Sequence, residues 1–179
     1  MVVFIFCIMQ LREIIKEKSE ILLFILKIFL VYILWLFLKS TIFRPNGPVD
    51  EWLIRNLINA TALVLQTLGF EVFQTFNRVG IDGTHGITIA FNCNGLSLMA
   101  VYSGFLIAYP LNLKTRLIAL LSGNLIINAL NVLRLVLLSI IVQLSPDSLA
   151  FHHKYTFTIV VYSAIVILWY YFLRISGRK

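Results

Sequence analysis

The chain has 179 residues, of which 60% are hydrophobic and 13% are charged. A soluble globular domain carries about 45–50% apolar and about 25% charged residues, so this composition excludes a water-facing surface over most of the molecule. The net charge of +7 does not indicate a nucleic-acid-binding protein, because the basic residues stand at the ends of apolar runs and form no basic stripe. We predict an all-α polytopic membrane protein in contact with lipid.

Residues 1–20 are predicted to form a cytoplasmic or interfacial leader, and residues 21–179 a single transmembrane domain. The first ten residues have no basic residue before their apolar stretch, unlike a cleavable signal peptide, and are too few to span a bilayer. Residues 11–20 carry alternating charges typical of an amphipathic helix. Because Cys7 lies in the apolar start, we expect no disulfide between it and Cys93.

Four apolar runs predict transmembrane helices, since a span needs about 20 apolar residues: residues 21–43, 96–110, 116–144 and 156–173. Between the first two runs, residues 50–69 have the spacing of an amphipathic helix that lies flat on the membrane or partly embedded. Residues 70–92 are rich in glycine, β-branched and aromatic residues, which predicts short strands with glycine turns. Open strand edges cannot face lipid, so we place this β-like segment outside the hydrocarbon.

The basic residues predict the orientation, because Lys and Arg flanking the spans mark the cytoplasmic side. They form three clusters: Arg12, Lys16 and Lys18; Lys114 and Arg116; Arg174, Arg178 and Lys179. Four spans put both termini on that side. The prediction is a multi-pass protein of the cell (inner) membrane, with residues 70–92, Cys93 and the loop 145–155 facing the periplasm or exterior.

Cys93 is the first candidate for chemistry, in the segment Asn-Cys-Asn-Gly-Leu-Ser of residues 92–97. It stands between a strand-like run and a helix start, where free backbone N–H groups and the positive helix end favour a nucleophilic thiol. The same N–H groups are suited to hold an oxyanion, with Asn94 and Gly95 shaping the turn. The alternative reading is a cysteine that packs inertly.

Arg134 is the second candidate, because a charge inside a span is costly and usually serves function. Asn124, Asn128 and Asn131 share its helix face at spacings of four, three and three. From Arg116 to Arg134 the helix rises about 27 Å, against a hydrocarbon core of about 30 Å, so Arg134 should lie level with Cys93 near the outer boundary. The alternative readings are a snorkelling arginine and a structural hydrogen-bond network among the asparagines.

The pair His152-His153, just before the last span, is the third candidate. No cluster with metal-ligand spacing accompanies it, so we expect neither a metal nor a cofactor, and His85 is expected to be a loop residue. A thiol needs a base, which histidine supplies near neutral pH, and a guanidinium can stabilise a carboxylate or an oxyanion. Together with Cys93 and Arg134, the histidines make a plausible site for acyl transfer.

These motifs resemble the exosortase/archaeosortase family: Cys93-Asn94-Gly95-Leu, Asn131-Val-Leu-Arg134 in a helix, and His152-His153 before the last span. The resemblance covers residues 50–173 and implies a polytopic membrane cysteine peptidase or transpeptidase. By position, it makes Cys93 the nucleophile, Arg134 the essential arginine and one of the two histidines the third member. It favours His152, because Tyr155 and Phe157 then fall where the family places aromatic residues.

The family implies substrates that are secreted proteins with a C-terminal sorting signal: a short motif, a transmembrane helix and a basic tail. The chain departs from the family pattern in its small size, which favours a small, Bacteroidetes-type member, and in Asn94, where Ser or Ala is common. The main alternative is a non-catalytic membrane assembly or binding protein whose asparagine stripe holds helices together. A small transporter would show repeated halves, which the sequence lacks.

Overall fold

The structure, a computed structural model, describes residues 2–44, 47–90 and 93–176, without the side chains of residues 2–18. Its main helices are α1 (Val2–Thr41), α2 (Pro48–Thr67), α3 (Leu96–Ala108), α4 (Leu113–Leu144), the one-turn α5 (Leu149–Phe151) and α6 (Phe157–Ser176). Three short strands stand between α2 and α3: β1 (Val72–Gln74), β2 (Arg78–Ile81) and β3 (Ile87–Thr88). The predicted all-α membrane fold with a small β segment is therefore confirmed.

Helix α1 is continuous through residue 20, where the sequence analysis placed the boundary between leader and domain. Its 40 residues correspond to about 60 Å, twice the thickness of a hydrocarbon core of about 30 Å. The part Ser19–Thr41 is long and apolar enough to cross a membrane. The assignment of residues 1–20 to a leader stays a prediction, and the side chain of Cys7 lies outside the described residues.

Among the described residues, three helices are long and apolar enough to span a membrane: Ser19–Thr41, Leu113–Leu144 and Pro146–Ser176. The fourth predicted span, residues 96–110, falls on the shorter apolar helix Leu96–Ala108, so its crossing of the membrane stays a prediction. Helix α3 has only 13 residues, or about 20 Å, because it is confined between the Asn94-Gly95 turn and Pro110. It packs against both α1 and α4.

The half of the bundle that contains the start of α4 is held by an apolar cluster from α3, α4 and α6. Its centre is Tyr102, which is fully buried and donates its hydroxyl to the carbonyl of Ala119 at 2.9 Å. A Cβ at Gly123 would collide with the Tyr102 ring, so this glycine allows α3 and α4 to approach closely. The cluster consists of Tyr102, Leu106, Leu111, Ala119, Ile127, Val161, Ile165 and Phe172.

A second apolar cluster lies at the other end of α4, where α2 and the sheet cover the helix. Helix α2 buries the face that carries Ile54, Leu57 and Ile58, and leaves Arg55 and Asn59 exposed, as expected for an amphipathic helix. The sheet has the order β1-β2-β3 with antiparallel pairing. The predicted helix at 50–69 and the predicted strands at 70–92 are both confirmed, while their position relative to the membrane stays a prediction.

The segment predicted as the loop 145–155 is helical instead. A 3-10 turn (Pro146–Ser148) leads through α5 into a π-turn (His152–Thr156) that runs directly into α6. Pro146 suits the first position of such a turn because it needs no N–H partner there. A π-turn holds one residue more than an α-turn and is frequent at functional sites. The two candidate histidines open this π-turn.

Candidate active site

The two apolar clusters meet on α4 at a polar turn that holds Asn131 and Arg134. The cluster around Tyr102 contains α4 residues up to Ile127, and the α4 residues of the cluster beneath α2 begin at Leu135. Asn131 is 2% exposed and Arg134 is half-buried. The candidate site is built around this turn.

Cys93 lies in a tight turn immediately before α3. Its backbone N–H donates to the carbonyl of Ala90 at 2.8 Å, and its side chain is a half-buried free thiol. Helix α3 begins three residues later, so the thiol stands near the positive end of the helix. Asn92, the first residue of the predicted motif, lies outside the described residues.

Asn94 holds this turn through two hydrogen bonds. Its Oδ1 accepts from the N–H of Leu96 at 3.0 Å, and its Nδ2 donates to Oδ1 of Asp50 at 2.6 Å. Asn94 and Asp50 are 3% and 5% exposed, so the bond is protected from water. The first turn of α2 therefore anchors the cysteine turn through Asp50, a role that no local sequence pattern predicts because Asp50 and Asn94 lie 44 positions apart.

We expect Asp50→Ala to destabilise the fold and loosen the cysteine turn. The substitution leaves the Asn94 amide buried without its partner, and losing a hydrogen bond to a charged group costs about 1.5–3 kcal/mol. The measurement is the thermal unfolding midpoint in detergent, with Glu51→Ala, the next residue of the same helix turn, as control. Equal midpoints for the two variants would contradict the anchoring role.

Gly95 brings the cysteine turn into contact with Asn131. Its φ of +84° lies in the left-handed region, and a Cβ at this position would collide with Nδ2 of Asn131. Neither Nδ2 nor Oδ1 of Asn131 has a hydrogen-bond partner within the described part of the chain. The turn of Cys93 thus lies at the same level of the bundle as Asn131 and, one helical turn on, Arg134.

Arg134 contacts His153 directly. Its Nη2 lies 3.0 Å from Nε2 of His153, which joins α4 to the π-turn before α6. A guanidinium only donates hydrogen bonds, so Nε2 accepts and the imidazole is neutral with its proton on Nδ1. The Nε of Arg134 is buried and has no partner among the described residues.

His152, which the family resemblance favoured, is placed differently. Its Nδ1 lies 3.1 Å from the hydroxyl of Thr156, one turn along its own helix. The geometry therefore favours His153 as the partner of Arg134. No spacing in the sequence signals this choice, because residues 152–156 form a π-turn, whose extra residue shifts the helix phase relative to α6.

A cavity of about 640 Å³ opens beside the Arg134–His153 pair. Its lining combines the edge of β3, the pair itself, and the first turns of the last helical segment: Gly86, Ile87, Thr88, Arg134, Leu149, Ala150, His153, Lys154 and Thr158. Cys93 is not part of this lining. The structure thus brings Arg134 and His153 into contact and holds the Cys93 turn against the neighbouring turn of α4.

The remaining candidates lie away from this pair. Asn124 is bonded to Ser103 of α3 through Nδ2 at 3.0 Å, which supports the alternative reading of a structural asparagine. Asn128 is half-buried on α4, and His85 is exposed in the turn between β2 and β3. Among the described residues, no three His, Cys, Asp or Glu side chains gather as metal ligands.

Comparison with known proteins gives one match. The family model described as transmembrane exosortase matches residues 2–171, nearly the whole chain, including Cys93, Arg134 and both histidines. No curated protein and no solved structure matches the chain.

Proposed function

The chain belongs to the transmembrane exosortase family, and we propose that it is a cysteine peptidase or transpeptidase that cleaves C-terminal sorting signals of secreted proteins. Membership gives it a general role in sorting proteins by transpeptidation at a membrane. The finer proposal rests on one observation, the contact between Arg134 and His153 at the level of the Cys93 turn. Its assignment to the small, Bacteroidetes-type members stays a prediction.

The proposed reaction begins when the sulfur of Cys93 attacks the scissile carbonyl carbon and forms a thioester as the C–N bond breaks. His153 takes the thiol proton and gives it to the leaving amine, as a general base and then a general acid. Arg134 stabilises the negative charge on the carbonyl oxygen. Water or an acceptor amine then attacks the thioester carbonyl, which yields hydrolysis or transfer and restores the thiol.

The contact between Arg134 and His153 means that His153 must be released before it can act as a base. The neutral ring of His153 has one free lone pair, on Nε2, and Arg134 occupies it. His153 becomes a base for the thiol only when the guanidinium turns from the ring to an oxygen of the substrate. Substrate binding and activation of Cys93 are therefore linked through Arg134.

The basic residues lie at the end of the bundle opposite the site, and this distribution supports the proposed orientation in the membrane. Helices α4 and α6 are antiparallel, with the Arg134–His153 contact at one end and Thr115 near Ile175 at the other. Lys114, Arg116 and Arg174, three residues of the predicted cytoplasmic set, belong to that second end. We propose the cell (inner) membrane, with the site on the periplasmic or exterior side and the secreted substrates reaching it there.

A paired histidine experiment tests the proposed chemistry. We expect His153→Ala to lower processing of a co-expressed substrate by about 10²–10⁴-fold, the usual contribution of general acid–base catalysis. His152→Ala, the matched control in the same turn, should retain most activity because its ring bonds Thr156. The measurement is the ratio of cleaved to full-length substrate at equal enzyme levels. The reverse ranking would overturn the role of His153.

The alternative function, a non-catalytic assembly protein, draws on the Asn124–Ser103 bond between α3 and α4. The two functions differ in the chemistry of Cys93. In a Cys7→Ser background, a membrane-impermeant maleimide should label Cys93 from the outer side of intact cells if the thiol belongs to an open site. A Cys93 that resists labelling in properly inserted protein would favour the assembly function.

A further inference from the structure

The free edge of strand β3 borders the cavity beside Arg134 and His153. Gly86, Ile87 and Thr88 line this cavity together with the pair. In the described sheet, β3 is the last strand and pairs only with β2. Its other edge therefore faces the cavity that leads to the proposed catalytic groups.

The register shows which backbone groups stand at that edge. The N–H of Ile89 donates to the carbonyl of Asn77 at 2.7 Å, and residues of an antiparallel strand alternate between bonding toward the neighbour and away from it. Ile87 and Ile89 therefore bond toward β2. The N–H and C=O of Thr88, between them, point away from β2 and along the cavity side.

We propose that β3 receives the substrate as an added strand, with an extended segment next to the scissile bond hydrogen-bonded to the backbone of Thr88. This inference rests on the proposed function. Unpaired strand edges are templates for a further strand, and strand addition is a common way of binding extended peptides. Main-chain bonding at Thr88 would fix the peptide backbone beside Arg134 and His153.

The dimensions favour a substrate peptide over a second copy of the chain. Strand β3 has two residues, which allow only one pair of main-chain bonds through Thr88, enough to align a peptide but little to hold a dimer. The cavity of about 640 Å³ lies between this edge and Leu149, Ala150 and Lys154 of the last helical segment. It has room for a few residues of extended peptide, whose side chains would point alternately to the two faces of the extended sheet.

Thr88→Pro tests the proposal, because proline removes the outward N–H and is tolerated on edge strands. We expect processing to fall by about tenfold or more, as for the loss of a main-chain hydrogen bond with added steric hindrance. Gln74→Pro is the matched control. Since Thr75 donates to the Arg78 carbonyl, the N–H of Gln74 points outward at the opposite edge, and its variant should keep activity within about twofold.

Equal activity of Thr88→Pro and wild type would overturn strand addition while leaving the proposed function intact. Equal losses in the two proline variants would also overturn it, since they would report damage to the sheet.

A cross-linking experiment decides the question without relying on activity or on the fold of a proline variant. Thr88→Cys, in a Cys7→Ser and Cys93→Ala background, is oxidised with substrates that carry single cysteines at successive positions before their transmembrane helix. Strand addition predicts disulfides at alternate positions, because side chains of a strand alternate between two faces. Cross-links without this alternation would overturn the proposal. The pattern stays informative even if the wild-type enzyme cleaves no substrate, a result that would overturn only the proposed function.

Discussion

Replacing Cys93 with alanine is expected to abolish processing of a co-expressed secreted protein that carries the sorting signal. The sulfur forms the covalent bond to the substrate in the proposed reaction, and removal of a catalytic nucleophile lowers kcat by up to about 10⁶-fold. Cys93 lies in a turn fixed by Asn94 and Gly95, and its own side chain is half-buried. The variant should therefore insert and fold like wild type.

The measurement is the fraction of substrate cleaved, with the amount of membrane-inserted enzyme determined in parallel. Cys7→Ser is the matched control, a thiol removed elsewhere in the chain, and should leave processing unchanged. In the wild type, hydroxylamine should release a trapped enzyme–substrate thioester that the Cys93→Ala variant never forms. Normal cleavage by Cys93→Ala would remove the thiol mechanism altogether.

The periodic parts of this fold could be predicted from the sequence. The long apolar runs at 21–43, 116–144 and 156–173 overlap helices α1, α4 and α6, and the glycine-rich stretch contains the three strands. These features can be read from local composition, because a segment that faces lipid must be apolar and a short strand carries β-branched residues between glycine turns. The short helix α3 shows the limit: an apolar run does not reveal that a left-handed glycine at one end and Pro110 at the other leave only 13 helical residues.

The sequence predicts how far along the helix axis the site lies, but not which side chains contact each other there. The rise along α4 predicts that Arg134 lies at the level of Cys93, because helical geometry converts residue number into distance, and Gly95 does lie against Asn131, one turn before Arg134. The partner of Arg134 depended on which histidine faces α4, and the π-turn sets this phase. The bond between Asp50 and Asn94 joins residues 44 positions apart, and no local pattern encodes such a pair.

The contact between α3 and α4 also divides the asparagine stripe into different roles. Asn124 is satisfied by Ser103, whereas Asn131 is buried against Gly95 with its amide unpaired among the described residues. A buried unpaired amide costs free energy, so its presence beside the cysteine turn needs a reason. We expect the substrate carbonyl to be the partner of its Nδ2 in the proposed reaction.

Replacing Arg134 is expected to cause the second large loss of processing. Arg134→Gln should lower processing by about 10²–10³-fold, the usual loss when a donor to an oxyanion is removed, and Arg134→Lys should recover little of it. Lysine keeps the charge but lacks the planar fork of donors, and the geometry requires two tasks of this side chain: a bond to Nε2 of His153 at rest and a bond to substrate oxygen during reaction.

The pair of variants separates these tasks from a purely structural role. Arg55→Gln, an exposed arginine on α2, is the control and should leave processing unchanged. If Arg134 acts on the substrate, Arg134→Gln should still label with maleimide at Cys93 and still insert, and added guanidinium should restore part of the lost activity in detergent. Cleavage by Arg134→Lys within about twofold of wild type would show that charge alone suffices. The link between substrate binding and release of His153 would then be wrong, because a lysine ammonium cannot reproduce the geometry of the fork.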